Sequence, residues 1–129
     1  MTVFPRSSRI DLTRKEIDQT KTILLNLQNE QANLALEKLK IIKRISIDTQ
    51  FVDLYSQGFI QNKDISELIL LSRNLSDDEK IQALHLLVQD SDLNNAITSY
   101  KGILRNLKRR EKEFAKKEQL KSALKDYLG

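Results

Sequence analysis

The chain contains no cysteine and no tryptophan, and only one proline and three glycines in 129 residues. Without cysteine there is no disulfide and no thiolate-held zinc, and the lack fits a reducing compartment. Pro5, Gly58, Gly102 and Gly129 are the only residues of the two types that break helices most strongly. Leu, Ile, Lys, Glu, Gln and Asn dominate, where a sheet would call for more Val, Thr and aromatics. An all-α chain follows.

Long hydrophobic runs are missing too. No stretch approaches the ~18 consecutive apolar residues of a membrane span, and the opening MTVFPRSSRIDL has no secretory apolar run. The expected location is the cytoplasm, or the nucleus in a eukaryote, with no membrane partner. The length bounds one domain.

Catalytic motifs are absent as well: no His-Glu-x-x-His, no phosphate loop and no nucleophile elbow. The single histidine, His85, sits between Leu84 and Leu86 and reads as a core-edge residue. Asp77, Asp78 and Glu79 cluster, but acidic residues are expected at a helix N-terminus for dipole reasons alone. Asp90-Ser91-Asp92-Leu93-Asn94 imitates the start of an EF-hand loop, yet its sixth position is Asn95 instead of Gly and its twelfth is Lys101 instead of Glu. A helix-turn-helix drawn through residues 48–88 would open its recognition helix with Asp77-Asp78-Glu79, which phosphates repel. No enzyme activity, cofactor or metal is expected.

What is present is helical periodicity and segregated charge. In residues 93–128, Leu93, Ile97, Tyr100, Leu104 and Leu107 recur at spacings of three and four, widened by Ala96 and Ile103; that is the apolar face of a helix. Beyond Leu107 the stripe thins to Phe114 and Ala115, until Leu120, Leu124, Tyr127 and Leu128 restore it. Residues 101–125 carry ten Lys/Arg against three Glu, a net of +7 in a chain of +4, so the remainder is −3. Pairing within the helix neutralises this poorly: only Glu113 has a cation four residues on, Lys117. The positive segment is either a solvated face or a contact surface for an anionic partner. The cations expected to make that contact, with nucleic acid or an acidic partner, are Arg105, Lys108, Arg109, Arg110, Lys112, Lys116, Lys117 and Lys121. With no tryptophan and only Phe114 among them, base stacking is disfavoured and the contacts fall on backbone phosphate.

Residues 1–12 read as a flexible arm with Arg6 and Arg9, and residues 13–129 as a single helical domain. Thr13-Arg14-Lys15-Glu16 fits a capping box opening a helix over 14–45. Its apolar residues form two seams: Ile17, Leu24, Leu27, Leu34, Ile41 and Ile45, and Leu25, Ala32, Leu36, Leu39 and Ile42. A stripe that wide points to more than one partner helix. Ser46 or Asp48 caps a short helix with Phe51, Leu54 and Tyr55 inward, stopped by Gly58 with a hydrophobic contact from Phe59. A third helix covers 64–73. Ser76-Asp77-Asp78-Glu79 is a capping box for a fourth through Val88, and Asp90, Ser91 and Asp92 cap the long last one.

The expected architecture is a helical bundle with two long antiparallel helices and three short helices between them. Such pairing would set Arg6, Arg9, Arg14, Lys15 and Lys21 beside the basic residues of 108–125. Leu54-Tyr55-Ser56-Gln57-Gly58, followed by short helices and a basic tail with Leu104, Leu107, Arg109 and Arg110, resembles the helicase-binding domain of bacterial primases, except over the N-terminal third. Size, helicity and basic face are similar, at the level of class, to the small helical subunits of CRISPR effector complexes. The expected function is a small subunit of a larger nucleoprotein assembly, touching nucleic-acid backbone without sequence specificity. The alternative is a protein–protein adaptor acting through helical-bundle or coiled-coil association, including a homo-oligomer.

Overall fold

The computed structural model describes residues 8–45 and 49–129, with the backbone alone at 49–51. These residues form α1 (Arg9–Ile45), α2 (Thr49–Ser56), α3 (Asn62–Leu71) and α4 (Asp77–Leu128). All regular structure among them is helical. Two short helices, not three, stand between the long ones, because the expected fourth and last helices are one element of 52 residues. The anticipated break at residues 89–92 contains neither Gly nor Pro. The helix penalty of Asp and Ser there is only ~0.5 kcal/mol each, and Asp90 turns its carboxylate to the core instead of capping. The EF-hand-like run is likewise inside α4.

Contacts divide the chain into two units, one made of Met1–Asn26 with Ile97–Gly129 and the other of Leu27–Ala96. In the first, α1 contributes buried Ile10, Thr13, Ile17, Thr20 and Leu24. Their alternating spacing of three and four is the seam of a coiled coil. Facing them from α4 are buried Ile97 and Leu107 with half-buried Tyr100, Leu104, Glu111 and Phe114. Arg14 meets Glu111 at 3.7 Å, and Ser8, Arg9 and Ile10 share a cavity with Phe114, Lys117 and Lys121. Rising numbers on α1 thus meet falling numbers on α4, so the helices of this unit run antiparallel.

The start of α1 differs from the sequence expectation. Ser8 caps it: its hydroxyl oxygen accepts from the Asp11 amide at 3.2 Å. Residues 9–12 are therefore helix and not arm, while Arg6 lies outside the described residues. Thr13 is not a cap. It is a buried seam residue whose hydroxyl donates to the Arg9 carbonyl at 2.8 Å, as Thr20 does to Glu16 at 2.8 Å. A threonine can satisfy its hydroxyl on the preceding turn and still present its methyl to a partner helix. Those carbonyls also serve the helix backbone, so the hydroxyls are dispensable. Thr20→Val is expected to raise stability by about 0.5–1 kcal/mol in urea unfolding, by burying one more methyl group.

In the second unit, Ile42, Ile65, Ile69, Leu75, Ala83 and Leu87 form the core, and Val52, Tyr55, Ile60 and Leu84 pack against it. Here too the α1 and α4 segments are antiparallel, since Lys38 meets Asp90 and Arg44 meets Glu79. The expected caps at Ser46 and Asp48, and the side chain of Phe51, lie outside the described residues. At Gly58 the expected stop is present: φ is +82°, the Gly58 amide donates to Tyr55 and the Phe59 amide to Leu54, each at 3.0 Å. This double return is a Schellman closure, which needs the left-handed backbone that glycine supplies. Phe59 itself is exposed, so the hydrophobic contact expected of it is not made. α3 runs over Asn62–Leu71, two residues ahead of the expected span. The Asp64 carboxylate accepts from the Gln61 amide at 3.3 Å.

The second capping box is as expected. Ser76 Oγ accepts from the Glu79 amide and Glu79 Oε1 accepts from the Ser76 amide, both at 3.2 Å. Arg44 binds the other Glu79 oxygen. The Arg44 guanidinium, helped by the Ser76 amide, holds the Glu79 carboxyl below its ordinary range. Ser76→Ala is expected to cost about 1 kcal/mol in urea unfolding, the usual loss of an N-cap. Of the second apolar seam, Ile42 is buried and Leu39 half-buried, whereas Leu25, Ala32 and Leu36 are exposed. The second partner helix inferred from that seam is present only at its C-terminal end.

Candidate nucleic-acid interface

The basic segment lies on α4 within the first unit. Leu107, Glu111, Phe114 and Ala115 keep to the seam side and are buried or half-buried, which turns the intervening cations outward. All eight expected contact residues, Arg105, Lys108, Arg109, Arg110, Lys112, Lys116, Lys117 and Lys121, are exposed. Among the described residues none of them is in an ion pair. The one side-chain hydrogen bond in the group, among the described residues, runs from Arg109 to Asn106 Oδ1 at 3.4 Å. The three glutamates of the segment therefore leave the field of these cations largely intact, and Glu111 is already engaged by Arg14.

Helical geometry sorts the eight into two groups. At ~100° per residue, Arg105, Lys108, Arg109, Lys112 and Lys116 fall within an arc of about 100°. Lys101, exposed and counted in the charge but not among the expected contacts, falls in the same arc. The period of the seam was the signal that would have included it. Arg110, Lys117 and Lys121 lie on the other flank, with Asn106 and Glu113 between the two groups. From residue 101 to 116 the larger group extends ~22 Å along the helix, about the axial length of six base pairs. The smaller group is joined by Arg9, which lines a 460 Å³ cavity with Lys117 and Lys121. Of the α1 cations expected at this pole, Arg9 is thus brought to the basic residues and Arg14 is engaged by Glu111. No such contact is seen for Lys15 or Lys21 among the described residues, and Arg6 lies outside them.

The second unit holds a polar cluster that sequence reasoning missed. Lys38 Nζ donates to Asp90 Oδ2 at 2.9 Å and to Asn62 Oδ1 at 2.8 Å, and Asn62 Nδ2 donates to the same Asp90 oxygen at 2.8 Å. Lys38 also lies 5.5 Å from the Tyr55 ring centroid, within cation–π range. Both charged residues are buried. Burial pushes the Asp90 carboxyl up, but the Asn62 hydrogen bond, the Lys38 hydrogen bond and the Lys38 charge together hold it below its ordinary value. The signals were there: Lys38 sits on the seam four residues after Leu34, and Asp90 three after Leu87. The triad closes on itself, and no buried side-chain polar atom among the described residues lacks a partner. It ties α3 to both long helices, and Lys38, Asn62 and Asp90 line a 620 Å³ cavity together with Tyr55 and Asn94. His85, expected at the core edge, is exposed.

No helix among the described residues is long and apolar enough to cross a membrane. No protein-family model, curated protein or solved structure matches this chain.

Proposed function

We propose that the chain is a non-enzymatic helical subunit of a nucleoprotein assembly, whose α4 basic face contacts nucleic-acid backbone without reading sequence. The observation that supports this reading is the arc of six exposed cations, Lys101 to Lys116, carrying no carboxylate partner among the described residues. A row of this length matches the spacing of several successive phosphates. Phe114, the one aromatic residue amid these cations, is half-buried against the seam, so charge and not stacking carries the contact. In this reading the antiparallel pairing of α1 and α4 within the first unit stiffens the basic face.

Fluorescence anisotropy with labelled duplex DNA, single-stranded DNA and RNA tests it. Binding at low salt that is indifferent to sequence is the expected result; no binding to any of the three at low salt would refute it. A second reading, a protein–protein adaptor, is favoured by the exposed apolar residues at the end of α4. It is distinguished by an assembly that survives added salt and by no affinity for polyanions.

A further inference from the structure

Two apolar stripes on α4 are uncovered among the described residues, and their flanking charges are opposite. Near its start, Ile81 and Val88 lie seven residues apart on one face and are 54% and 61% exposed, at the margin of half-buried Leu84, which packs on the core. Exposed Asp77, Asp78 and Asp92 flank this face and take part in no ion pair among the described residues. Near its end, Leu120, Leu124, Tyr127 and Leu128 form a second stripe, 57 to 87% exposed. Exposed Lys116, Lys117, Lys121 and Lys125 surround it.

We infer that the terminal stripe of one copy docks on the initial stripe of α4 in a second copy, so that the chain associates head to tail. Apolar residues at matching helical spacing supply the contact, as in helix-on-helix packing. The lysines around one stripe meet the aspartates around the other, which fixes which face pairs with which. Tail-to-tail pairing would instead set lysine against lysine. Both stripes are carried by one helix, whose side chains are neighbours only three and four positions apart; a second copy supplies each with the other. Because the two surfaces differ, the contact is heterologous, and each added copy leaves one face of either kind open. Lys116, Lys117 and Lys121 border the terminal stripe as well as belonging to the basic segment, so the test is kept apart from nucleic-acid binding by substituting only Ile81, Val88, Leu120 and Leu124.

Sedimentation of the full chain over a wide concentration range tests it, with circular dichroism to confirm retained helix. The wild type is expected to rise in mass past the dimer as concentration increases, and to fall back as salt is added. A tail variant, Leu120→Ser with Leu124→Ser, and a head variant, Ile81→Ser with Val88→Ser, are each expected to stay monomeric. Mixed in equal amounts they are expected to form a dimer and nothing larger, because the mixture offers one intact head and one intact tail. Val88→Lys serves as an independent head variant that places like charge against the tail. A wild type monomeric throughout, a head variant that associates as the wild type does, or a mixture that stays monomeric would each overturn the inference.

Discussion

Replacing Asp90 by alanine is expected to lower the unfolding free energy by about 3 kcal/mol or more, read from urea titration. The substitution strands Lys38, a buried ammonium, and removes the acceptor shared by Lys38 and Asn62. Breaking one side of a buried pair typically costs 3–5 kcal/mol, because the remaining charge loses its counter-charge without regaining water. Lys38 would keep only the neutral Asn62 Oδ1 and the Tyr55 ring. Removing both charges differs in kind. Lys38→Met with Asp90→Leu is expected to lie within about 1 kcal/mol of the wild type or above it, since the desolvation penalty of both ions disappears along with their attraction. If the double variant were as unstable as Asp90→Ala, packing around Asn62 and not charge would be the controlling term.

The same carboxylate gives a pH signature. Its folded pKa is depressed from the ordinary value of 3.8, so the folded state binds this proton less readily than the unfolded chain does. Its contribution is fully present above the unfolded value and is lost as pH falls through the lower folded one. Wild-type stability should therefore drop in that acidic window more steeply than that of the Lys38→Met, Asp90→Leu variant.

The second large effect concerns the basic arc. Replacing Lys108, Arg109 and Lys112 together by alanine is expected to weaken nucleic-acid binding on the order of 10²-fold near ~0.1 M salt, and to flatten the salt dependence by about three contacts. All three are exposed on one flank of α4, so helix content and melting should hold. The matched change on the other flank, Arg110, Lys117 and Lys121 to alanine, removes the same charge but interrupts no arc and is expected to cost distinctly less. Equal losses from the two triples would mean that net charge alone binds, without a defined face. Unchanged affinity in the first triple would sink the interface.

Polar residues decide how much of this fold is legible in the sequence. Ser76 and Glu79 were legible because a capping box precedes a strong apolar run, and Arg44 takes the Glu79 oxygen that the box does not use. Thr13 and Glu16 have the same spelling, yet Ser8 starts the helix earlier and Thr13 falls on the seam. Local chemistry permits both outcomes, and packing of Ile10 and Ile17 against α4 decides between them. Asp90 misled for the same reason: a carboxylate between polar neighbours reads as a cap until Lys38 and Asn62 are known to converge on it. That convergence is long-range in sequence and leaves only the heptad phase as a trace. The basic segment was legible as charge, but its division into two flanks follows from which side the seam occupies. Leu25 and Leu36 read as interior because apolar residues spaced along a helix imply a partner, whether or not the same chain supplies it.

The measurement that bears most directly on the proposed interface is the salt dependence of binding to duplex and single-stranded nucleic acid between ~50 and ~200 mM. Six cations in the arc, each releasing ~0.9 counterion on a duplex phosphate, give an expected log–log slope of about −5. A steep slope near that value, insensitive to sequence, is the expected result. A flat slope, or no binding at the lower salt, would contradict the assignment of this face to nucleic acid.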